Sequence, residues 1–309
     1  MLKPKVAITI GDPAGIGPEI VLRAVNSLKV QRVCSPVVVG DKNVISKYFD
    51  INKKSKKVDF VFSSNYSEKF VLGKPSKISG LIACDAIRQA VKMCMNGQAK
   101  SMITAPVSKE SFKYAGLKYS GHTEFLAALT KTKNYCMMMI CDNINSVMVT
   151  RHLPTSKVSS VLTKKDIVLT TALSADFVKS FLKRKPEILV CALNPHAGDN
   201  GILGNDEKEK IIPAIKELKK KGYNICGLYP VDVAWAKFLK YKYDLIVGMY
   251  HDQIMLPLKI LNPKKIVNVT AGLPFVRTSP GHGTAFDIAG KNVADPSSME
   301  EAILKSISN

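Results

Sequence analysis

The sequence lacks the features that mark membrane-spanning, secreted or disulfide-linked proteins. No uninterrupted apolar run reaches the roughly 18 residues that a transmembrane helix needs, so no membrane partner is expected. The first apolar run, residues 6–10, breaks at Gly11-Asp12-Pro13 and is too short for a signal peptide. The seven cysteines form no CxxC pair and are odd in number, which favours free thiols in a reducing compartment. We therefore expect a cytoplasmic protein.

Acidic residues are also scarce, since 25 of them stand against 45 basic residues and give a formal net charge of +20. Only six of the basic residues are arginines, the lysines are spread along the whole chain, and no basic stripe is interleaved with aromatic residues. This distribution indicates solvated surfaces and predicts no nucleic-acid partner, although the positive field favours anionic substrates. A basic nucleic-acid-binding protein stays open as an alternative, which strong, salt-dependent DNA binding would reveal.

Hydrophobic residues make up 46% of the 309-residue chain, enough for two domains or one large α/β unit. Short apolar runs, several without alternation, predict strands at residues 6–10, 36–40, 58–62, 101–104, 136–141, 146–150, 187–193, 224–228, 244–250 and 265–269. Amphipathic stretches predict helices at residues 19–28, 81–95, 164–182, 206–221 and 297–308. The alternation is largely βαβα and predicts mostly parallel sheets flanked by helices.

Histidine is rare, with five in the chain, and three of them closely follow predicted strands: His152, His196 and His251. Ligands of open α/β sheets bind beyond the carboxyl ends of the strands. Three imidazoles at that edge suit zinc or another borderline divalent ion. Each histidine alone is more simply a solvent-facing loop residue, but their shared topological position favours a metal site.

Two glycine-rich loops have both a structural and a functional interpretation. Residues 11–19, GDPAGIGPE, join a predicted strand to a helix, and their backbone N–H groups could bind an anion. The pattern is not GxGxxG, and an ordinary strand-to-helix turn explains it equally well. The loop that begins at Gly281, GHGTAFDIAG, could bind ribose or adenine or could be a capped turn.

Several polar residues suit the binding of an anionic ligand. His122 and Thr123 precede an apolar helical stretch, where they could contact a ligand, or Thr123 could be the helix N-cap. Arg277 lies in a segment of Gly, Pro, Ser and Thr that reads as a loop, and its guanidinium suits bidentate binding of phosphate or carboxylate. Lys259 and Asn268 could join it or could be ordinary surface residues.

The ordered set of motifs resembles one family. TIGDPAGIGPE, TAPVSK, GHTEFLA, TRHLP, NPHAG, MYHDQ and RTSPGHGTAFDIAG are similar, in order and separation, to the signature segments of 4-hydroxythreonine-4-phosphate dehydrogenases of vitamin B6 biosynthesis. The similarity extends from Ile8 to about Asp295. Each motif is modest, but the ordered set is highly specific.

The resemblance implies an α/β fold with two α/β/α domains like those of isocitrate and isopropylmalate dehydrogenases. The first domain would comprise residues 1–125 and 265–309, and the second residues 126–264. The active site would lie in the cleft between them, at a homodimer interface where metal ligands are shared between subunits.

The resemblance also implies roles for individual residues. A divalent metal (zinc, cobalt or magnesium) would be bound by His152, His196 and His251. The substrate would be bound by His122, Thr123, Lys259, Asn268 and Arg277. NAD or NADP would be bound by Gly281, His282, Gly283, Thr284, Ala285 and Asp287, and the candidates for proton transfer are Asp232 and Lys109.

The implied reaction is the oxidation of 4-phosphooxy-L-threonine to 2-amino-3-oxo-4-phosphooxybutanoate, which decarboxylates to 3-amino-2-oxopropyl phosphate. The metal would act as a Lewis acid on the C3 hydroxyl, and the hydride would pass to the nicotinamide. The nearest alternative is a paralogue that oxidises a 4-phosphorylated D-threonate or erythronate, although the HLP segment at His152 favours the B6 enzyme. A metal-dependent phosphohydrolase is a more distant alternative, because a carboxylate-rich metal site is missing.

Overall fold

Buried strands alternate with helices along the chain, as the apolar runs predict. The computed structural model describes residues 3–49, 58–119 and 121–307. The strands are β1 (Lys5–Thr9), β2 (Ser35–Asp41), β3 (Asp59–Ser64), β4 (Ser101–Thr104), β5 (Cys136–Cys141), β6 (Ile144–Met148), β7 (Glu187–Cys191), β8 (Asn224–Tyr229), β9 (Leu245–Gly248), β10 (Ile266–Ala271) and β11 (Val276–Pro280). The ten predicted strands are confirmed, and β11 is an addition to them.

The five predicted helices are confirmed and several shorter ones accompany them. The helices are α1 (Gly17–Asn26), α2 (Leu28–Val33), α3 (Lys42–Tyr48), α4 (Lys77–Met95), α5 (Lys109–Tyr114), α6 (His122–Leu129), α7 (Thr155–Val161), α8 (Lys164–Leu182), α9 (Ile212–Lys220), α10 (Val231–Tyr241), α11 (His251–Leu261) and α12 (Ser297–Ile307). A π-helical turn, Glu207–Ile211, precedes α9. Within the described residues, no helix is both long and apolar enough to cross a membrane.

The chain divides into two units, each with its own set of paired strands. The first unit comprises Met1–Lys133 and Val267–Asn309, and its strand order is β3-β2-β1-β4-β11-β10. Its strands are parallel except that β10 runs antiparallel to β11. Strand β1 lies at its centre, where Ile8 pairs with Val38 on one side and Ile103 on the other. Helices on both faces bury such strands, which explains their unbroken apolar sequences.

The second unit comprises Asn134–Ile266 and has the strand order β5-β6-β9-β7-β8. Strands β6, β9, β7 and β8 are parallel, and β5 is antiparallel to β6. Leu189 of β7 and Ile246 of β9 are fully buried and pack with Trp235 and Phe238 of α10. The carboxyl ends of three adjacent parallel strands, β6, β9 and β7, therefore meet at one edge of this sheet.

Candidate active site

Arg277 is the largest fully buried side chain of the first unit, with 1% of its surface exposed. It lies on strand β11, so its assignment to a loop was wrong. The run Arg-Thr-Ser-Pro is polar, but it forms a strand because it pairs with β4 on one side and β10 on the other. Its Nη1 donates to Thr270 Oγ1 at 3.1 Å, and its Nη2 donates to Thr104 Oγ1 at 2.6 Å. The two neighbouring strands thus fix the direction of the guanidinium.

The charge of Arg277 has no acidic hydrogen-bond partner within the described residues. Its Nε is buried and has no partner there either. Burial lowers the pKa of Arg277 to about 9, and the nearby charge of Glu124 offsets this only in part, so the group is cationic at neutral pH. Because a buried cation without a counter-ion is destabilising, this arrangement suits the binding of an anion.

His122 and Asn268 belong to the same unit as Arg277. His122 is the first residue of α6, its ring contacts that of Phe112 at 6.3 Å, and its Nε2 is shielded from solvent. Burial, and after it the charge of Arg277, hold the pKa of His122 well below 6.5, so the imidazole is neutral. Asn268 pairs with Ser279 in the β10–β11 ladder and, two residues from Thr270, shares its sheet face.

Thr123 lies in the first turn of α6, beside His122. The N-cap of this helix is Gly121, which makes no side-chain cap, so the interpretation of Thr123 as the N-cap was wrong. Its hydroxyl is therefore not used in capping. The first turn of α6 also contains Glu124, whose charge acts on Arg277.

The three histidines predicted as metal ligands follow adjacent parallel strands of the second unit. His152 follows β6, His251 follows β9, and His196 follows β7. The ring centres of His152 and His251 lie 5.8 Å apart, and both line a cavity of about 160 Å³ together with Thr150 and Tyr250. Two imidazoles that bind one ion at about 2.1 Å bring their ring centres to roughly 5–6 Å, so this pair fits a shared divalent metal.

His196 is not grouped with the other two histidines. Among the described residues, no cluster of three or more His, Cys, Asp or Glu side chains is placed to hold a metal ion. The single chain therefore brings together two of the three predicted ligands. The Nδ1 atom of His251 lies 2.6 Å from Asp252 Oδ1, which orients the ring and leaves Nε2 for coordination.

Sequence reasoning missed Gln253, which is 3% exposed and connects the ends of two histidine-bearing strands. Its Nε2 donates to the carbonyl of Ala192 at 2.8 Å, and its Oε1 accepts from the backbone N–H of Met249 at 2.7 Å. The indole of Trp235 donates to its backbone carbonyl at 2.7 Å. The only signal in the sequence is a glutamine two residues after His251.

The two glycine-rich loops lie against each other within the first unit. Ile16 N–H donates to the carbonyl of Thr284 at 3.0 Å, and a Cβ on Gly15 would lie 2.7 Å from that carbonyl oxygen. Residues Gly281, His282, Gly283 and Asp287 are exposed, while Thr284 and Ala285 are half-buried. Pro18 lies in the first turn of α1. The loop predicted to bind the cofactor is thus anchored to the GDPAGIGPE loop and presents an open surface.

Asp12 of the same loop is fully buried, and its Oδ1 accepts from Ala14 N–H at 3.0 Å. Burial raises the pKa of this carboxyl, although hydrogen bonds to serines and backbone groups oppose the shift.

The remaining predicted residues are exposed. Lys109 is the first residue of α5 in the first unit, whereas Asp232 in α10 and Lys259 in α11 belong to the second. Lys259 lies eight residues along α11 from His251, two turns away.

Known proteins extend these observations. The family profile described as pyridoxal phosphate biosynthetic protein PdxA matches residues 32–306. A 4-hydroxythreonine-4-phosphate dehydrogenase from Sulfurihydrogenibium sp. (strain YO3AOP1) is 41% identical over 97% of this chain and 96% of its own length. A protein from Oceanobacillus iheyensis, named for a proposed D-threonate 4-phosphate dehydrogenase activity, is 36% identical over 99% of this chain and 97% of its own length. The chain belongs to the PdxA family and is a dehydrogenase.

Solved structures agree with the predicted fold. The crystal structure of 4-hydroxythreonine-4-phosphate dehydrogenase from Klebsiella pneumoniae is 32% identical and has a TM-score of 0.90, over 99% of this chain and all of the other. A β-decarboxylating dehydrogenase from Thermococcus kodakarensis is 16% identical and has a TM-score of 0.50, over 98% of this chain and 82% of the other. The isocitrate dehydrogenase-like fold that the resemblance implies is confirmed.

Proposed function

We propose that this dehydrogenase oxidises 4-phosphooxy-L-threonine with NAD or NADP and a divalent metal, in the biosynthesis of pyridoxal 5′-phosphate. The product would be 2-amino-3-oxo-4-phosphooxybutanoate, which decarboxylates to 3-amino-2-oxopropyl phosphate. One observation carries the proposal: the buried guanidinium of Arg277, directed by two threonine hydroxyls, has no acidic partner within the described residues. A doubly charged phosphate or a carboxylate would supply the missing negative charge.

The proposed substrate-binding residues of the first unit have different roles, which follow from the charge of each side chain. Arg277 binds an anionic group, while Asn268 and Thr123 offer uncharged hydrogen bonds that fix its orientation. His122 is neutral, so its imidazole can donate one hydrogen bond without adding a second buried charge beside Arg277. Lys259, exposed on α11, is the second cation proposed for the substrate.

His152, His196 and His251 are the proposed metal ligands, and the spacing of the His152–His251 pair fits one ion. When bound, zinc, cobalt or magnesium supplies Lewis-acid polarisation of the substrate hydroxyl. Asp252 holds the His251 ring so that Nε2 is available. Asp232 and Lys109, both exposed at helix starts, are the proposed groups for proton transfer.

The loop Gly281–Asp287 is the proposed binding site for the nicotinamide cofactor, which supplies the hydride acceptor. Gly281, His282, Gly283, Thr284, Ala285 and Asp287 are the residues assigned to it. A Cβ at Gly283 would meet nothing within 4 Å, so there is room for a ligand to approach the backbone closely. Assays with NAD and with NADP distinguish the two cofactors.

We propose a homodimer whose two copies share each metal site. Within the part of the chain that the structure describes, only His152 and His251 of the three come together, which supports a third ligand, His196, from the partner copy. The helix that begins at His251 also exposes a large apolar surface, with Leu256 60% and Ile260 74% exposed. These two residues are one turn apart on α11, and a second copy would cover them.

A cytoplasmic location is also proposed, on the basis of the cysteines. Six of the seven cysteines are buried. Burial raises the pKa of Cys84, Cys94, Cys136 and Cys191 to about 12, which keeps them protonated and unreactive. Such thiols suit a reducing compartment.

The proposed function is tested by following NADH or NADPH absorbance with 4-phosphooxy-L-threonine as substrate. We expect turnover with the metal-loaded protein, loss of turnover after chelation, and recovery when zinc, cobalt or magnesium is restored. Metal analysis on the same samples gives the stoichiometry. Release of inorganic phosphate without reduction of either cofactor would overturn the proposal and favour a phosphohydrolase.

A second candidate substrate is 4-phospho-D-threonate or the corresponding erythronate. The relative from Oceanobacillus iheyensis favours it, because its 36% identity is close to the 41% of the Sulfurihydrogenibium enzyme. These substrates carry a hydroxyl in place of the amino group. Parallel measurement of kcat/KM with both compounds decides between them.

A further inference from the structure

Residues 196–200 form a single turn of left-handed helix. The φ angles of His196, Ala197, Gly198, Asp199 and Asn200 are 52°, 54°, 81°, 42° and 55°. Residues with a Cβ atom visit this region rarely, and then usually singly. Four of these five consecutive residues have a Cβ atom, so the surrounding structure must hold the turn in place.

Glu207 holds the start of this turn. It is 3% exposed, and its Oε1 accepts from the backbone N–H groups of Leu193 at 2.9 Å and Asn194 at 2.8 Å. Its Oε2 accepts from the side chain of Asn194 at 3.0 Å. One carboxylate thus satisfies three donors at the point where the chain leaves strand β7 for His196.

Glycines around the carboxylate allow the close packing. A Cβ on Gly198 would lie 2.6 Å from Glu207 Oε2, and a Cβ on Gly204 would lie 2.6 Å from Asn194 Nδ2. Glu207 is also the first residue of the π-helical turn before α9. Isolated π-helical turns occur frequently at functional sites. The close contacts around the Glu207 carboxylate indicate that its position relative to the left-handed turn is fixed.

We propose that Glu207 is a positioning residue for metal binding, which acts by fixing the left-handed turn that presents the His196 imidazole. The inference rests on the proposed metal site. Without the carboxylate, the N–H groups of Leu193 and Asn194 lose their shared acceptor, and the turn relaxes towards ordinary backbone conformations. The His196 imidazole then samples many orientations, and the metal binds only the fraction of molecules in which the orientation suits coordination.

The test measures Co²⁺ and Zn²⁺ binding to metal-stripped protein by calorimetry, for wild type, Glu207→Gln and Glu207→Ala. The control is Glu209→Gln, since Glu209 is exposed and lies on the same turn. We expect affinity to fall about 10-fold or more in Glu207→Ala and less in Glu207→Gln, which keeps one oxygen acceptor. The Glu209→Gln variant should bind as wild type does.

The visible absorption spectrum of the Co²⁺ protein is the second readout, because its bands report coordination geometry rather than stability. We expect weaker or shifted bands in both Glu207 variants at saturating Co²⁺. If Glu207→Ala does not fold, Glu207→Gln alone decides. Wild-type affinity and spectrum in folded Glu207→Gln would overturn the inference and leave the proposed function intact, whereas a wild-type protein that binds no Co²⁺ would overturn both.

Discussion

Arg277 illustrates how a single residue can favour ligand binding at the expense of stability. It is buried between two strands, with two hydroxyl partners and no acidic partner within the described residues. Replacing a buried charge with an apolar side chain of similar volume is often neutral or stabilising. Replacing Arg277 with an apolar residue should therefore maintain or raise the free energy of unfolding while it lowers activity.

We predict that Arg277→Met keeps or raises the melting temperature while lowering kcat/KM by at least about 100-fold, since hydrogen bonds to charged groups contribute about 1.5–3 kcal/mol each. Calorimetry and steady-state kinetics measure the two effects. Arg88→Met is the control, because Arg88 is exposed and pairs with Asp85 on the surface of α4. A large fall in the melting temperature of Arg277→Met would show that the guanidinium stabilises the fold instead.

His122 predicts a pH dependence of stability. Its pKa in the folded protein lies well below 6.5, so the unfolded chain takes up the proton first as the pH falls. The contribution of the neutral imidazole to the free energy of unfolding is therefore fully present above about pH 6.5. It decreases as the pH falls below that value, by up to about 1.4 kcal/mol per pH unit. We expect a smaller loss of melting temperature between pH 7 and 5 in His122→Gln than in wild type. Equal slopes for the two proteins would contradict this.

At the scale of elements, helix α1 fixes the segment that follows the proposed cofactor loop. Glu19 is 2% exposed and accepts from the backbone N–H groups of Gly290 and Asn292. Arg23, one turn later on α1, donates to the carbonyls of Asn292 and Ala294. The GDPAGIGPE motif thus ends in a carboxylate that anchors a segment some 270 residues away.

We predict that Glu19→Ala raises KM for NAD or NADP several-fold and leaves KM for the phosphorylated substrate unchanged. The backbone N–H groups of Gly290 and Asn292 lose their carboxylate acceptor, and the loop before them becomes mobile. Hydrogen exchange of peptides covering residues 281–294 should accelerate, which Glu209→Ala, on an exposed residue of the other unit, should not cause. Unchanged exchange in Glu19→Ala would refute the anchoring role.

The strands that the sequence predicts are those in which burial dominates. Runs such as residues 6–10 and 136–141 are buried on both faces, so hydrophobicity alone identifies them. Strand β11 carries Arg277 and is followed by glycines, and its polarity is explained only by the neighbours β4 and β10. Strand order likewise depends on long-range pairing, which no local pattern encodes.

The candidate site follows the same division. Three histidines after three apolar runs could be recognised because a strand end is a local feature of sequence. Glu207 and Gln253 could not, because their roles are hydrogen bonds to backbone groups of Leu193, Asn194, Ala192 and Met249 that only the folded chain brings near. Residues proposed to bind a ligand directly can thus be predicted more readily than the residues that position them.

At the scale of the whole molecule, the central question is which copy of the proposed homodimer would supply each proposed metal ligand. His152 and His251 are close within one chain, and His196 is not grouped with them in the described residues. A homodimer that shares sites would combine this pair with His196 of the partner subunit. The alternative is that all three ligands come from one chain after a rearrangement of the turn at residues 196–200.

Mixed dimers separate these arrangements. Two inactive variants, His196→Ala and His251→Ala, are co-expressed with different affinity tags, and the heterodimer is isolated. If the sites are shared as proposed, one site receives all its histidines and the other loses two, so the heterodimer should recover about half of the wild-type activity and bind one metal ion. If each chain builds its own site, both sites of the heterodimer lack a ligand, and it should be as inactive as its parents.

Pairing His152→Ala with His251→Ala is the control, because both substitutions fall on the same pair of ligands. In the shared arrangement neither site of that heterodimer is complete, so recovery of activity there would contradict the assignment of His152 and His251 to one copy.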